Sequence, residues 1–353
     1  MYPDGGTLIG MSGGVDSSVA ACLVQAGGGD VAGTTLKLFD GEDGKCCSID
    51  DVTDARNVCA RLGIRYFVLN YKRRFQTDVI DSFAASYIRG ETPNPCIECN
   101  RHLKFGRMFL SARELGFSNV ATGHYARITK IGGRYYLQKG LDTKKDQSYV
   151  LYMIARDELE HVRFPLGGLT KSEVRDIARD KGLLTANKRD SQDICFVPDG
   201  DYAGFIETWA RERDITLPTH GNFLDSSGNT IGKNKGALSY TIGQRRGLGV
   251  SHSEPLYVSS KRGNDVYLGT ERELYSSVLY AKDVNVLVPD RLTACYSLRA
   301  KTRYSQTEQP CTAEFTERDT LRVAFDKPQR AITPGQSVVL YDGDTVVCGG
   351  VIQ

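Results

Sequence analysis

With 353 residues, 40% of them hydrophobic and 25% charged, the chain has apolar material for two or three domains with sizeable cores. Lysine plus arginine number 45 against 43 aspartates and glutamates, so global charge announces no nucleic-acid partner and such a role must rest on local clusters. Ten unevenly spaced cysteines exclude a small disulfide framework, five histidines argue against a His-rich metal centre, and no apolar run approaches the ~20 residues of a membrane span.

The opening residues Met1 to Gly6 carry neither a basic nor an apolar leader region, so a reducing cytoplasm is the expected location. Thr7–Met11 is then a short apolar strand, Ser17–Gln25 a buried helix and Val31–Leu38 a second strand. Ser48 is placed to cap a helix whose apolar positions Val52, Ala55, Cys59 and Leu62 fall three or four apart, with Gly63 as its stop. Tyr66–Leu69 is a third strand, and Phe75, Val79, Phe83 and Tyr87 recur every four residues on another helix. This alternation predicts an α/β fold with a doubly wound parallel sheet.

Between Arg89 and Arg101 two prolines, Pro93 and Pro95, exclude helix and predict an extended backbone. Tyr202, Phe205, Ile206 and Trp209 mark one more helix. Beyond it the sequence turns β-rich, with a hairpin at Leu256–Val258 and Val266–Leu268 around the turn Gly263-Asn264-Asp265. From about Val278 the predicted strands are short and evenly spaced, and a small β-barrel is the simplest account. The expected domains are 1–205, adenylating and catalytic; 206–280, central, β-rich and RNA-binding; and 281–353, a C-terminal β-barrel.

Gly10-Met11-Ser12-Gly13-Gly14-Val15-Asp16-Ser17-Ser18 sits where the first strand hands over to the first helix. Its glycines admit a phosphate chain, and free N–H groups and hydroxyls at the helix start point at it. The loop lacks the Walker lysine. Its Ser-Gly-Gly-x-Asp-Ser pattern resembles the PP-loop of enzymes that split ATP into AMP and pyrophosphate while adenylating an acceptor oxygen. Argininosuccinate, GMP and NAD synthetases and the tRNA lysidine and thiolation enzymes all use similar loops, so the pattern specifies activation and not the acceptor. Asp16 either holds Mg²⁺ on the ATP phosphates or serves the loop structurally.

Cys96 and Cys99 lie on the proline-bounded segment Thr92-Pro93-Asn94-Pro95-Cys96-Ile97-Glu98-Cys99, with Arg101, His102 and Lys104 placed to favour a thiolate. Cys195 ends a polar stretch beside Ile194 and Phe196, and alone it reads as a small core residue. In order along nearly the whole chain stand the nucleotide loop, Thr-Pro-Asn-Pro-x-x-x-Cys-Asn, Ala121-Thr122-Gly123-His124-Tyr125 and Lys145-Asp146-Gln147-Ser148-Tyr149. Asp190-Ser191-x-x-Ile194-Cys195-Phe196, Tyr240–Gly249 and Arg303-Tyr304 complete the set. Together they resemble the tRNA-specific 2-thiouridylase family.

That resemblance implies adenylation of the 2-carbonyl oxygen of the wobble uridine, then displacement of AMP by sulfur. It makes Cys195 the carrier of a persulfide and Cys99 the partner thiol left in a disulfide with it. It implies ATP contacts from Gly10, Met11, Ser12, Gly13, Gly14, Val15, Asp16, Ser17, Leu36 and Gly123. For tRNA it implies contacts from Asn94, Pro95, Cys96, His124, Lys145, Asp146, Gln147, Arg303, Tyr304 and Gln336. The implied partners are tRNAs for Lys, Glu and Gln and a persulfide or sulfide donor such as a cysteine desulfurase.

Cys96 departs from the family pattern, in which Asp is frequent at this position. It creates Cys96-x-x-Cys99, a spacing suited to redox chemistry and equally to metal ligation. Cys96, Cys99 and Cys195 could therefore hold an iron–sulfur cluster or a zinc ion, with sulfide carried on an open iron as the alternative mechanism. Cys46-Cys47 read as part of a cysteine-rich loop packed on the sheet, with sulfur acceptance the other reading, whereas Cys22, Cys59, Cys295, Cys311 and Cys348 read as structural. The basic groups Lys72-Arg73-Arg74, Arg101 to Arg107, Lys144-Lys145, Arg245-Arg246 and Arg299 to Arg303 each suit a solvated face, but jointly they could lie along RNA phosphates. A small-molecule adenylating ligase would explain the loop but not the cysteines, and a non-enzymatic RNA-binding protein would explain neither.

Overall fold

Thr7, Leu8 and Ile9 lie between Gly6 and Gly10 and are buried on both faces of their strand, as the central strand of a parallel sheet requires. The computed structural model describes residues 5–39, 49–188, 194–197, 200–217, 220–292, 296–317 and 319–353. Ser48, Cys46, Cys47 and Cys295, and most of the polar stretch before Cys195, lie outside them. The chain divides into two compact units, the first comprising Met1–Ile80, Pro95–Gly200 and Asp344–Val346, the second Asp81–Asn94, Asp201–Gly343 and Val347–Gln353.

In the first unit the strands are β1 (Gly6–Gly10), β2 (Val31–Lys37), β3 (Arg65–Asn70), β4 (Phe117–Ala121), the hairpin β5 (Ala126–Ile131) and β6 (Arg134–Lys139), and β7 (Val162–Arg163). The sheet order is β3-β2-β1-β4-β7 and every pairing is parallel, as the strand–helix alternation predicts. Parallel neighbours need crossovers, and the helices Val15–Ala26, Ile49–Leu62 and Lys171–Asp180 supply much of the packing. Ile9, Val19, Val24, Val58, Leu166 and Val174 share one buried cluster.

The four-residue recurrence at Phe75, Val79, Phe83 and Tyr87 is realised on a helical run from Lys72 to Ile88, with all four side chains buried. Its middle, Gln76–Asp81, is wound wide, in π geometry. The extended segment is shorter than expected. Residues 91–94 have no regular structure, but Pro95–Glu98 is a helical turn that continues into a wide turn at Cys99–Arg107 and then a helix at Met108–Glu114. Pro95 permits this because the first helical position has no N–H bond to lose and wants the φ that proline fixes.

The second unit begins its β-rich part after the helix Tyr202–Arg211, where Trp209 Nε1 donates to Asp81 Oδ1 at 2.8 Å. Strands β8 (Gly221–Leu224), β9 (Thr230–Asn234), β10 (Tyr257–Arg262) and β11 (Asp265–Gly269) form a sheet in the order β10-β11-β8-β9, its core holding Phe223, Tyr240, Ile242, Val258 and Leu268. Strands β12 (Tyr275–Val286), β13 (Leu298–Lys301), β14 (Gln309–Glu317), β15 (Thr320–Arg330), β16 (Ser337–Asp342) and β17 (Thr345–Ile352) follow the order β12-β15-β14-β13-β16-β17, and pairing of β12 with β17 closes a barrel. Several of these strands are long and not short: β12 has 12 residues and β15 has 11. Register shifts between Ser276 and Val278 and between Lys282 and Asn285, the latter with Asp283 at φ 49°, break the alternation from which strand length is judged.

Candidate active site

The carboxyl end of β1 runs through Met11-Ser12-Gly13-Gly14 into the helix Val15–Ala26. Gly14, at the N-cap, has extended backbone and provides no side-chain acceptor for the helix's first N–H groups. Those donors are the orphans that attract a phosphate. The loop is fixed from behind: Met11 N donates to Thr34 O at 2.7 Å, Thr35 Oγ1 donates to Met11 O at 2.8 Å, and the Tyr66 hydroxyl donates to Thr35 Oγ1 at 2.7 Å. Ser12 N donates to Ser17 Oγ at 3.2 Å, and the Ser17 and Ser18 hydroxyls donate to Gly14 O at 3.1 and 2.8 Å. Gly13 has φ 71°, and a Cβ there would lie 2.4 Å from Asp51 O. Leu36 is buried near the carboxyl end of β2, on the edge where open α/β sheets bind ligands. Gly123 packs on the first turn of the nucleotide helix, where a Cβ would meet Asp16 C and Ser17 N at 2.9 Å.

Asp16 is gripped from two sides. Lys171 Nζ donates to Asp16 Oδ1 and Oδ2 at 2.7 and 2.8 Å, and the Tyr125 hydroxyl donates to Oδ1 at 2.7 Å. Both carboxylate oxygens carry an ammonium, so the donor set does not suit a divalent ion there, and the structural alternative for Asp16 is the one its geometry fits. Lys188 Nζ donates to Gly13 O at 3.2 Å, to Asp51 Oδ1 at 2.7 Å and to Asp54 Oδ2 at 2.9 Å. Burial disfavours its charge, but the bonds to Asp51 and Asp54 more than offset this and raise its pKa.

The described cysteines fall into two classes. Cys22, Cys59, Cys311 and Cys348 are buried. Burial raises the thiol pKa of all four, to about 11 for Cys59 and about 12 for Cys311, so they stay protonated and inert. Cys96 is exposed, and Cys99 and Cys195 are partly exposed, all three in the first unit. Cys99 opens the wide turn Cys99–Arg107, and His102, expected to favour its thiolate, is engaged by Glu98 at 3.1 Å. Cys195 sits in a turn closed by Val197 N donating to Ile194 O at 2.9 Å, with Phe196 edge-on to the buried Phe75 at 5.7 Å. Among the described residues no three His, Cys, Asp or Glu side chains converge as metal ligands. Cys96, Cys99 and Cys195 therefore do not fit a cluster in this arrangement.

The positions expected to touch RNA are divided between the units. Pro95, Cys96, His124, Lys145, Asp146 and Gln147 belong to the first, Asn94, Arg303, Tyr304 and Gln336 to the second. Tyr304 is 43% exposed. Arg303 donates to Ala331 O and Thr333 Oγ1, both at 2.8 Å, and Gln336 Nε2 donates to Thr92 O at 2.7 Å. Asp146 accepts from Gly140 N, Ser148 N and the Ser148 hydroxyl at 2.9–3.1 Å, which makes it the pivot of a turn. His124 is buried, its ring between Phe105 and Phe164, with Nδ1 2.7 Å from Thr122 Oγ1.

Residues 6–199 match the family profile described as tRNA methyl transferase HUP domain, 213–270 the tRNA methyl transferase PRC-barrel domain, and 276–352 the aminomethyltransferase beta-barrel domain. The tRNA-specific 2-thiouridylase MnmA of Clostridioides difficile (strain 630) is 46% identical over 362 residues, spanning 100% of this chain and 99% of that protein. The chain belongs to the tRNA-specific 2-thiouridylase family. The 2-thiouridylases of Acetivibrio thermocellus and Clostridium acetobutylicum are 46% and 44% identical, each across 98% of this chain and 98% or 99% of their own length.

Sequence reasoning about this 2-thiouridylase passed over Lys171 and Lys188. Lys171 opens the helix Lys171–Asp180, whose capping box pairs Thr170 with Glu173. A capping box is visible as Thr-x-x-Glu, and a cation at a helix start opposes the helix dipole, a cost that a nearby carboxylate offsets. Which carboxylate, Asp16, no local pattern could say. A pH test follows from His124. Burial, aided by the charge of Lys104, holds its pKa well below the ordinary imidazole value. The unfolded chain therefore takes up a proton that the folded chain refuses. Stability from this group is complete above about pH 6.5 and falls below it by up to about 1.4 kcal/mol per pH unit. Thermal unfolding at pH 7.5 and 5.5 should show a smaller acid loss in His124→Gln than in the wild type.

Proposed function

We propose that this chain is an ATP-dependent tRNA sulfurtransferase that replaces the 2-oxygen of the wobble uridine by sulfur. The observation that carries this reading is a conjunction within one unit. An uncapped, glycine-rich helix start lies at the carboxyl edge of a parallel sheet, with partly exposed Cys99 and Cys195, in a chain matched end to end by 2-thiouridylases. The loop Gly10–Ser17, with Leu36 and Gly123, holds ATP while the uridine 2-oxygen attacks the α-phosphorus and pyrophosphate leaves. Adenylation turns a poor leaving oxygen into a good one.

The terminal sulfur of a Cys195 persulfide then attacks C2, and the C2=N3 electron pair moves onto the ring nitrogen. The tetrahedral intermediate collapses with cleavage of the C2–O bond and departure of AMP, leaving sulfur bonded to C2 and to Cys195 Sγ. The Cys99 thiolate next attacks Cys195 Sγ and expels the sulfur as 2-thiouridine. Two thiols are thereby oxidised to a Cys99–Cys195 disulfide as the persulfide sulfur is reduced, and an external thiol reductant resets the pair. The persulfide comes from a cysteine desulfurase-type donor, and the acceptors are tRNAs for Lys, Glu and Gln. Residues 1–205 carry the chemistry, while 206–280 and 281–353 hold the tRNA. Thiols that must stay reducible suit the cytoplasm.

Pyrophosphate release from ATP, measured with tRNA carrying a wobble uridine and with tRNA lacking one, tests the reading alongside nucleoside mass spectrometry for 2-thiouridine. Release that ignores tRNA would point to a small-molecule ligase, and none at all to a binding protein. Tyr304→Ala should weaken tRNA binding about 5- to 150-fold, the loss of ~1–3 kcal/mol of base stacking, with the salt slope unchanged because no charge is removed. Unaltered affinity in a gel shift would take Tyr304 off the RNA face.

A further inference from the structure

Both groups that grip Asp16 are themselves anchored on one short segment, Asp142–Ser148. Gln147 Oε1 accepts from Tyr125 N at 3.0 Å while Gln147 N donates to Tyr125 O at 2.9 Å, a two-point clasp on the backbone of the residue whose hydroxyl holds Asp16. Asp142 Oδ2 accepts from Lys171 N at 3.0 Å, fixing the start of the helix whose ammonium holds both Asp16 oxygens. Tyr125 is 3% exposed, and Lys171 Nζ stands 5.9 Å from its ring centroid, so the two supports are packed together. Asp16 lies in the first turn of the helix that presents its uncapped N–H groups to the nucleotide.

We infer that Tyr125 and Lys171 are positioning residues for the nucleotide loop, and that Gln147 sets Tyr125, so that Gln147 acts on the use of ATP. The chain of action is serial: Gln147 fixes the Tyr125 backbone, Tyr125 and Lys171 fix the Asp16 carboxylate, and Asp16 fixes the helix start. The inference rests on reading Gly10–Ser17 as the ATP loop and adds the supports that nothing in the family pattern assigns to it.

The test is steady-state pyrophosphate release by the full chain at saturating tRNA, with tRNA Kd from gel shifts. Tyr125→Phe keeps the buried ring and removes only the hydroxyl. It should raise KM for ATP about tenfold, the scale of a hydrogen bond to a charged group, and leave tRNA Kd within about twofold. Gln147→Ala should also raise KM for ATP about tenfold, and Gln147→Glu, which keeps the acceptor oxygen, should keep KM for ATP within about threefold of wild type. Because the links act in series, Tyr125→Phe with Gln147→Ala together should exceed the larger single effect by no more than about twofold.

A merely structural role would lower the active fraction and kcat at constant KM. Multiplying effects of the double variant on KM for ATP, an unchanged KM in Tyr125→Phe, or an unchanged KM in Gln147→Ala would each overturn the inference. Absence of tRNA-dependent pyrophosphate release in the wild type would instead overturn the ATP-loop reading.

Discussion

Cys195→Ser is expected to stop 2-thiouridine formation, by a factor on the order of 10⁴ or more, the scale reached when a covalent nucleophile is removed. A serine hydroxyl cannot hold a transferable sulfur, whereas the partly exposed Cys195 thiol can. Cys99→Ser should stop turnover as completely but at a different point. With a ³⁵S persulfide donor, Cys195→Ser should take up no label. Cys99→Ser should take label onto Cys195 and fail to release it as free 2-thiouridine. ATP and tRNA affinities should change little in either variant, because neither cysteine belongs to the nucleotide loop. Labelled product from Cys195→Ser would end the persulfide assignment. Cys96→Asp, at an exposed position, should keep most of the activity, and its inactivity would return the argument to a three-cysteine cluster.

The parallel sheet was legible because its central strands β1 and β2 are buried on both faces and its strands are separated by helix-period stretches. The nucleotide loop was legible because its backbone demands are written in side chains: glycine at the positive φ of residue 13, hydroxyls at 12, 17 and 18. Pro95 misled because proline excludes a helix interior but favours its first residue, and only the chain after it tells the two apart. The barrel strands looked short because bulges near Val278 and Asp283 scramble an alternation whose hydrogen bonding continues. What the sequence could not yield was pairing across long separations. Lys171 meets Asp16 across 155 residues and Lys188 meets Asp51 across 137, and each lysine alone looks like a solvated surface group. The same holds for His124. Its motif suggested an outward-facing contact, yet its ring fills a buried slot between two phenylalanines.

Gly13→Ala should disable the enzyme through the loop, while Gly14→Ala, one residue on, should be far milder in stability. At Gly13 the backbone φ of 71° costs an alanine about 1–2 kcal/mol by itself. The new Cβ would then lie 2.4 Å from Asp51 O and 2.7 Å from Asp51 Cα, atoms of helix backbone that cannot turn aside. Asp51 is moreover tied to Lys188, whose ammonium also bonds Gly13 O, so the helix cannot retreat without breaking the clamp that holds the loop. At Gly14 φ is −93° and the nearest atom to a built Cβ is Ser12 Oγ at 3.5 Å, ordinary contact. Chemical unfolding should show a clearly lower midpoint for Gly13→Ala and a small change for Gly14→Ala. Pyrophosphate release should show KM for ATP raised about 100-fold or more in Gly13→Ala, the consequence of moving several phosphate-facing N–H groups at once. A folded Gly13→Ala enzyme with normal KM for ATP would mean that the phosphates are held somewhere other than this helix start.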